Sequence, residues 1–271
     1  MQNQNNHILD GCHWFNCDVG VYGTKHGLPI IRHYLKIFEE LQEKNILVEK
    51  PAGLHKKEFE DLVQATKEKD SNVFVAYNRR FYASVLKAQE IIKEDAGVTS
   101  FNFEFTEWGH VIAPLTKAEG VKEKWFLGNS THVVDLAFFL GGQPEKICNF
   151  TNGSLDWHPS SSVFSGAGVS DKNALFSYQA DWGSAGRWSV EILTKENRLI
   201  LRPMEKLQIQ KRGSIAQEFD ESIDYTLDNK FKPGLYLQTE SFLNNKFDRF
   251  CSIEEQNIML NTYNDIAGYI D

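Results

Sequence analysis

The chain is poor in cysteine, with four in 271 residues, at positions 12, 17, 148 and 251. So sparse a set builds no disulfide scaffold. Cys12, His13 and Cys17 sit close together, but their spacing fits no zinc template and no second pair lies nearby in sequence. They read as packing thiols, and no metal site is expected. Long Lys/Arg clusters are also lacking. Lys and Arg number 29 against 37 Asp and Glu, a formal net charge of −8. That balance argues against a general binder of nucleic acid or of an anionic membrane surface. No apolar run approaches the roughly eighteen residues of a membrane span. The longest apolar patch, Val133 to Leu140, carries Asp135 inside it. Met1 to Asn6 is rich in Asn and Gln and has neither the basic nor the apolar region of a signal peptide. No internal repeat or low-complexity linker is visible. A soluble, cytoplasmic protein is the expectation.

What is present is ordinary for a globular chain: 41% apolar and 24% charged residues. At about 100–200 residues per domain, the length favours two domains. Residues 1–17 show no clean period. Asp18 to Tyr22 is then a short strand candidate, and Leu28 to Glu43 shows a helical face through Ile31, Tyr34, Leu35, Phe38 and Leu41. Ile46, Leu47 and Val48 form a short strand, stopped by Pro51. His55 to Lys69 is helical, Asn72 to Tyr77 a strand, and Phe81 to Asp95 helical again. Strand and helix thus alternate three times, at the spacing of parallel βα units.

Beyond residue 96 the period changes. Phe101, Phe103 and Phe105 alternate with polar residues, as do Phe176, Tyr178, Ala180 and Trp182, and then Trp188, Val190 and Ile192. Leu199 with Leu201, and Leu207 with Ile209, continue the pattern. Consecutive strands of this kind predict an antiparallel sheet. A helix from Thr131 to Leu140 interrupts them and ends at Gly141-Gly142. Two helices close the sequence. The second opens with Ser252 and Glu255 in capping-box spacing and carries Met259, Tyr263, Ile266 and Ile270 on one face. The expected division is a partial, Rossmann-like parallel βα domain over 1–96 and a large open antiparallel-sheet domain with helices over 97–271.

Ligands of parallel βα domains bind at the carboxyl ends of the strands. Here those ends carry Gly23-Thr24-Lys25-His26, Glu49-Lys50-Pro51 and Asn78-Arg79-Arg80-Phe81. Three polar, charged loops converging in this way suit a small-molecule crevice. Taken singly, each is also what any strand end looks like.

The stretch Ile46-Leu-Val-Glu-Lys-Pro51, then Val75-Ala-Tyr-Asn-Arg-Arg-Phe81, then Asn129-Ser-Thr-His132-Val-Val-Asp135, resembles the Gfo/Idh/MocA oxidoreductases. Two C-terminal helices following Gln238 fit the same frame, and the resemblance runs from about residue 18 to the end. It implies NAD or NADP as cofactor and a sugar, sugar nucleotide or cyclitol as substrate, acted on by hydride transfer. Lys50 would hydrogen-bond the substrate hydroxyl, and His132 would accept the proton released as hydride leaves. Read by itself, Lys50 is a solvated strand-end lysine and His132 a helix-terminal histidine bonded to backbone. Placed near the N-terminus of its helix, His132 is expected to stay neutral. Glu49, Lys50, Pro51, Thr24, His26 and Trp125 would border the cofactor. Trp125 is as readily a core residue. Tyr77, Asn78, Arg79, Asn129 and Asp135 would line the substrate side. Either Arg79 or Arg80 is expected to grip a carboxylate or phosphate through its planar fork. Asp135 either orients His132 or pairs with a basic group, the structural role being favoured.

Two departures from the family pattern stand out. The sequence holds no G-x-G-x-x-G turn for a pyrophosphate. Gly166-Ala-Gly168 comes nearest, but Asp171 occupies the third glycine position and a strand pattern follows, so it reads as a turn. The seventeen residues before Asp18 are too few for a βαβ unit of about 30 residues. The first half of the dinucleotide fold is expected to be missing, and cofactor affinity to suffer. Many family members also carry an Asp four residues before the histidine, where this chain has Gly128. Acid–base work would then fall to Lys50 and His132. A homodimer or homotetramer through a sheet face rich in Phe and Trp is expected. The alternative is a non-catalytic or degenerate relative, a sugar-binding or regulatory subunit or a gene fragment.

Overall fold

A computed structural model of the chain describes residues 6–8 and 45–270. In chain order come β1 (Asn6–Ile8), β2 (Asn45–Val48), α1 (Lys56–Lys69), β3 (Asn72–Val75), α2 (Ala83–Glu94), β4 (Ser100–Glu104) and α3 (Gly109–Ile112). There follow α4 (Thr131–Gly141), β5 (Pro144–Asn152), β6 (Val163–Ser170), β7 (Leu175–Asp181), β8 (Ser189–Leu193), β9 (Asn197–Leu201), β10 (Gln208–Lys211) and β11 (Glu218–Phe219). Last are α5 (Thr226–Lys230), α6 (Leu235–Leu243), β12 (Cys251–Ser252) and α7 (Ile253–Ala267). A 3-10 turn spans Asn78–Phe81 and a π-helical turn spans Phe126–Ser130. Among the described residues no helix is long and apolar enough to cross a membrane.

The chain divides into two compact units. One takes the residues through Tyr77 with Thr116–Gly128 and Gln238–Tyr263, and the other Asn78–Leu115, Asn129–Leu237 and Asn264 onward. The α2 helix, grouped with the first domain on sequence pattern, falls in the second unit. There Ser84 donates to the Met204 carbonyl and Asp228 accepts the Ala83 backbone N–H.

The first unit holds a sheet in the order β1–β2–β3–β12, with β1, β2 and β3 parallel and β12 antiparallel to β3. All four residues of β2 are buried, and Ile46 to Val48 within it read as a continuous apolar run. On β3, the Phe74 ring lies 4.5 Å from Phe247 and 5.5 Å from Phe250. The strand expected at Asp18 to Tyr22 and the helix expected at Leu28 to Glu43 lie outside the described residues, as do Cys12, His13 and Cys17. The parallel neighbour of β2 is Asn6–Ile8, three residues that are too short to show a period. The α7 start is as expected: Ser252 Oγ accepts the Glu255 backbone N–H at 3.1 Å.

The second unit holds an eight-stranded sheet in the order β11–β10–β9–β8–β4–β7–β6–β5. It is mixed rather than purely antiparallel, because β4 and β7 pair in parallel. A parallel pair needs a long crossover, and α3, α4, β5 and β6 all lie between these two strands. The alternating phenylalanines of β4 point to a buried face. Phe101, Phe103, Phe176 and Tyr178 are all buried, and Phe138 of α4 reaches Phe176 at 5.2 Å and Phe103 at 5.6 Å between ring centres. The opposite face is not the Phe- and Trp-rich surface expected. It carries Asn102, Glu104, Ser177 and Gln179, with Phe150, Val163 and Leu175 exposed near the β5–β7 end and Phe219 exposed on β11.

Gly166 and Gly168 are not a turn. They lie inside β6, where a Cβ on Gly166 would meet the Tyr178 ring and one on Gly168 the Lys146 carbonyl and the Phe176 ring. Small residues there give room to aromatic rings of β7. Gly142 does cap α4, with φ +101° and its N–H on the Phe138 carbonyl. Ile270 does not continue the buried face of α7. The helix stops at Ala267, Gly268 turns the chain at φ +70°, and Ile270 is exposed.

Candidate functional site

In the first unit, β2 delivers Glu49 half-buried and Lys50 fully buried, 3% exposed. A buried ammonium is costly unless acceptors meet it. The Gly128 carbonyl, in the π-helical turn, accepts from Lys50 Nζ. A π turn shifts the usual carbonyl-to-amide register of a helix and is frequent at functional sites. Pro51, Tyr77 and Trp125 are also buried in this unit, which suits core packing as well as a ligand wall. The Lys50–Pro51 peptide is cis. Thr24 and His26 lie outside the described residues.

His132 belongs to the second unit and is buried on α4. It is not at a helix N-terminus, as the sequence suggested. The π turn Phe126–Ser130 runs directly into α4, and Ser130 already has helical φ −67° and ψ −24°. The dipole argument for a neutral imidazole therefore fails here, since that effect fades beyond the first turn. The His132 ring centre lies 6.4 Å from Trp188.

Asp135 takes the structural role. Arg80 Nε donates to its Oδ2 at 2.9 Å and Arg80 Nη2 to its Oδ1 at 2.6 Å, both side chains being 3% exposed. Arg80 is thereby committed, leaving Arg79 as the half-buried arginine of the pair. Asn78 is held in place as well. Its Nδ2 donates to the Pro233 carbonyl at 2.9 Å, and its Oδ1 accepts from Arg79 at 3.3 Å.

Three residues in this unit were not singled out from the sequence. Glu107, 1% exposed, accepts from Asn129 Nδ2 at 2.8 Å, from Ser130 Oγ at 2.9 Å and from Arg187 at 3.4 Å. Asn129 is thus bound to a carboxylate and helps fix the segment that leads into His132. Trp188, read only as a strand residue, lies under Arg79 and Arg187, whose Cζ atoms are 4.8 Å and 4.5 Å from its ring centre. Desolvation lowers the Arg79 guanidinium from its ordinary value, with Arg187 adding to that effect and Tyr82, Glu205 and Glu107 opposing it. Glu107 sits just past the end of β4, but its partners lie 22, 23 and 80 residues away in sequence, so no local pattern marks it.

The chain matches no family model and no curated protein by sequence. Solved structures do match. UDP-N-acetylglucosamine 3-dehydrogenase GnnA from Acidithiobacillus ferrooxidans superposes with a TM-score of 0.65 at 12% identity, covering 89% of this chain and 74% of that one. Levoglucosan dehydrogenase in complex with NADH and levoglucosan gives 0.65 at 18% identity, over 89% and 75%. An NAD binding oxidoreductase from Klebsiella pneumoniae gives 0.63 at 14% identity, over 89% and 74%. The fold is that of the Gfo/Idh/MocA-type oxidoreductases.

Proposed function

We propose that this protein is an NAD(P)-dependent oxidoreductase acting on a ring carbon of a sugar-type substrate, a sugar, sugar nucleotide or cyclitol. The observation that carries this is the buried Lys50 ammonium just past the end of a parallel strand, in a fold shared with dehydrogenases. Lys50 donates to the substrate hydroxyl oxygen and holds it in place. His132, in the second unit, is the proton acceptor that the resemblance implies, through a ring nitrogen. Glu107, through Asn129 and Ser130, fixes the backbone before His132.

The residues present fit the nicotinamide end of the cofactor. β2 and β3 run parallel and lead into Lys50 and Tyr77, both buried, as a ligand at strand carboxyl ends requires. Glu49, Lys50, Pro51 and Trp125 would border the ring, and the nicotinamide, when bound, supplies the hydride carrier. For the pyrophosphate end the described residues offer no glycine-rich turn.

The lack of a G-x-G-x-x-G turn in the sequence favours a second reading, a sugar-binding relative without catalysis. Fluorescence titration with NADH and NADPH separates the two. Binding tighter than about millimolar, roughly −4 kcal/mol, supports the oxidoreductase. Silence with both, alongside retained sugar binding, supports the second reading. Assembly as a homo-oligomer through the outer sheet face, where Phe150 and Leu175 are exposed, belongs to the same proposal. Light scattering that shows a monomer at micromolar concentration removes it.

A further inference from the structure

The second unit sets two cations on one indole. Arg79 and Arg187 both lie within 5 Å of the Trp188 ring centre, at 4.8 Å and 4.5 Å. Arg187 has a carboxylate partner in Glu107. Arg79 has none: among the described residues its side-chain hydrogen bond goes to the neutral Asn78 amide oxygen, and no carboxylate reaches it within ion-pair distance. Trp188 Nε1 is buried and has no acceptor among the described residues. The groups in contact, Arg79, Arg187 and Glu107, carry a net charge of +1, with the Glu205 carboxylate acting on Arg79 from beyond ion-pair distance and an indole N–H to spare. It is reachable, since the Arg187 side chain is 48% exposed and Arg79 is half-buried.

We infer that this cluster binds a carboxylate of the substrate, which makes the substrate a sugar acid. Calling the ligand a sugar rests on the proposed function; the anion site itself rests on the geometry. A carboxylate accepts two parallel N–H bonds from a planar guanidinium, and its single charge matches the cluster. A phosphate monoester brings about −1.5 to −2 charges and would overshoot, close to the Glu107 carboxylate. A neutral sugar leaves Arg79 partly desolvated with no carboxylate within ion-pair distance among the described residues.

Calorimetry on the whole chain, without nicotinamide and at low salt, tests this with D-glucuronate, D-glucose and D-glucose 6-phosphate. D-glucuronate should bind at least about tenfold tighter than D-glucose, as a charge-assisted bidentate contact allows. Arg79→Gln should bring D-glucuronate down to the level of D-glucose, and Arg79→Lys, which keeps the charge but loses the fork, should fall between. Arg212→Gln, at an exposed arginine paired with Glu196, should change neither affinity. D-glucuronate and D-glucose binding within about twofold of each other, tighter binding of D-glucose 6-phosphate than of D-glucuronate, or Arg79→Gln with unchanged affinity overturns the inference. If Arg79→Gln does not fold, the comparison of the three ligands on the unaltered chain decides. Hydride transfer plays no part in the measurement. Carboxylate binding without any nicotinamide chemistry therefore contradicts the proposed function alone, and turnover of D-glucose without a preference for D-glucuronate contradicts the carboxylate site alone.

Discussion

Arg80 and Asp135 form a two-point ion pair, at 2.9 Å and 2.6 Å, with both side chains 3% exposed. The Arg80 guanidinium also lies 4.6 Å from the centre of the Phe139 ring. Each partner needs the other, because a lone charge at that depth has no solvent to stabilise it. Asp135→Ala should therefore cost about 3–5 kcal/mol of stability. The double variant Arg80→Met, Asp135→Leu removes both charges and should cost much less. Urea unfolding of the three chains checks this. Equal losses in the single and double variants would mean the pair is not the cause.

Glu107 gathers three donors from Asn129, Ser130 and Arg187. Glu107→Ala leaves the buried Asn129 and Ser130 donors without it, and each orphaned group costs about 1–3 kcal/mol. Glu107→Gln keeps an acceptor and should be milder, since the Arg187 partner is half-exposed and its pairing is weakened by water. Chemical denaturation curves for both variants measure the difference. A glutamine variant as damaged as the alanine one would assign the role to charge instead of to hydrogen bonding.

Burial pushes the Tyr178 hydroxyl above its ordinary value, and the Asp265 charge adds to the shift. Burial raises Tyr82 as well. Unfolded tyrosine ionises near pH 10. Above that pH the unfolded chain gives up protons that the folded chain keeps, so stability falls as pH rises; below it both forms are neutral and nothing is lost. Melting temperatures between about pH 9 and 11 should decline, and the decline should be shallower in Tyr178→Phe. That variant also loses the bond from Tyr178 to Asn149 Oδ1 at 2.7 Å, so the slopes and not the absolute values carry the test. Parallel slopes would remove Tyr178 from the explanation.

The parts of the fold legible in the sequence are those set by local periodicity. Phe101 and Phe103 alternate with polar residues because one face of β4 is buried, and Ile46 to Val48 form an unbroken apolar run because β2 is covered on both faces. Parts set by distant partners were not legible. Gly166 and Gly168 look like a turn until the Tyr178 and Phe176 rings of the next strand are in place. The parallel pairing of β4 with β7 depends on a crossover of about seventy residues, which no local window contains. The π turn before His132 is a change in backbone register with no composition of its own, so a helix start was read where the helix already runs. Of the candidate site, the Glu-Lys-Pro triplet marked Lys50 and the histidine motif marked His132. The same motifs mark Asn78 and Asp135, whose side chains bond the Pro233 carbonyl and Arg80, partners that no local window shows. Glu107, Arg187 and Trp188 stayed hidden because each acts through neighbours far away in the chain.

The proposed chemistry stands most directly on Lys50. Reduction of NAD⁺ or NADP⁺ with D-glucuronate and D-glucose should be measured for the unaltered chain and for Lys50→Met, whose side chain is apolar and of similar length. The unaltered chain should reduce a nicotinamide, and the variant should melt at nearly the same temperature while turning over at least about a hundredfold more slowly. A native-like Lys50→Met chain that works at the full rate, or an unaltered chain that reduces neither coenzyme with either sugar, would contradict it.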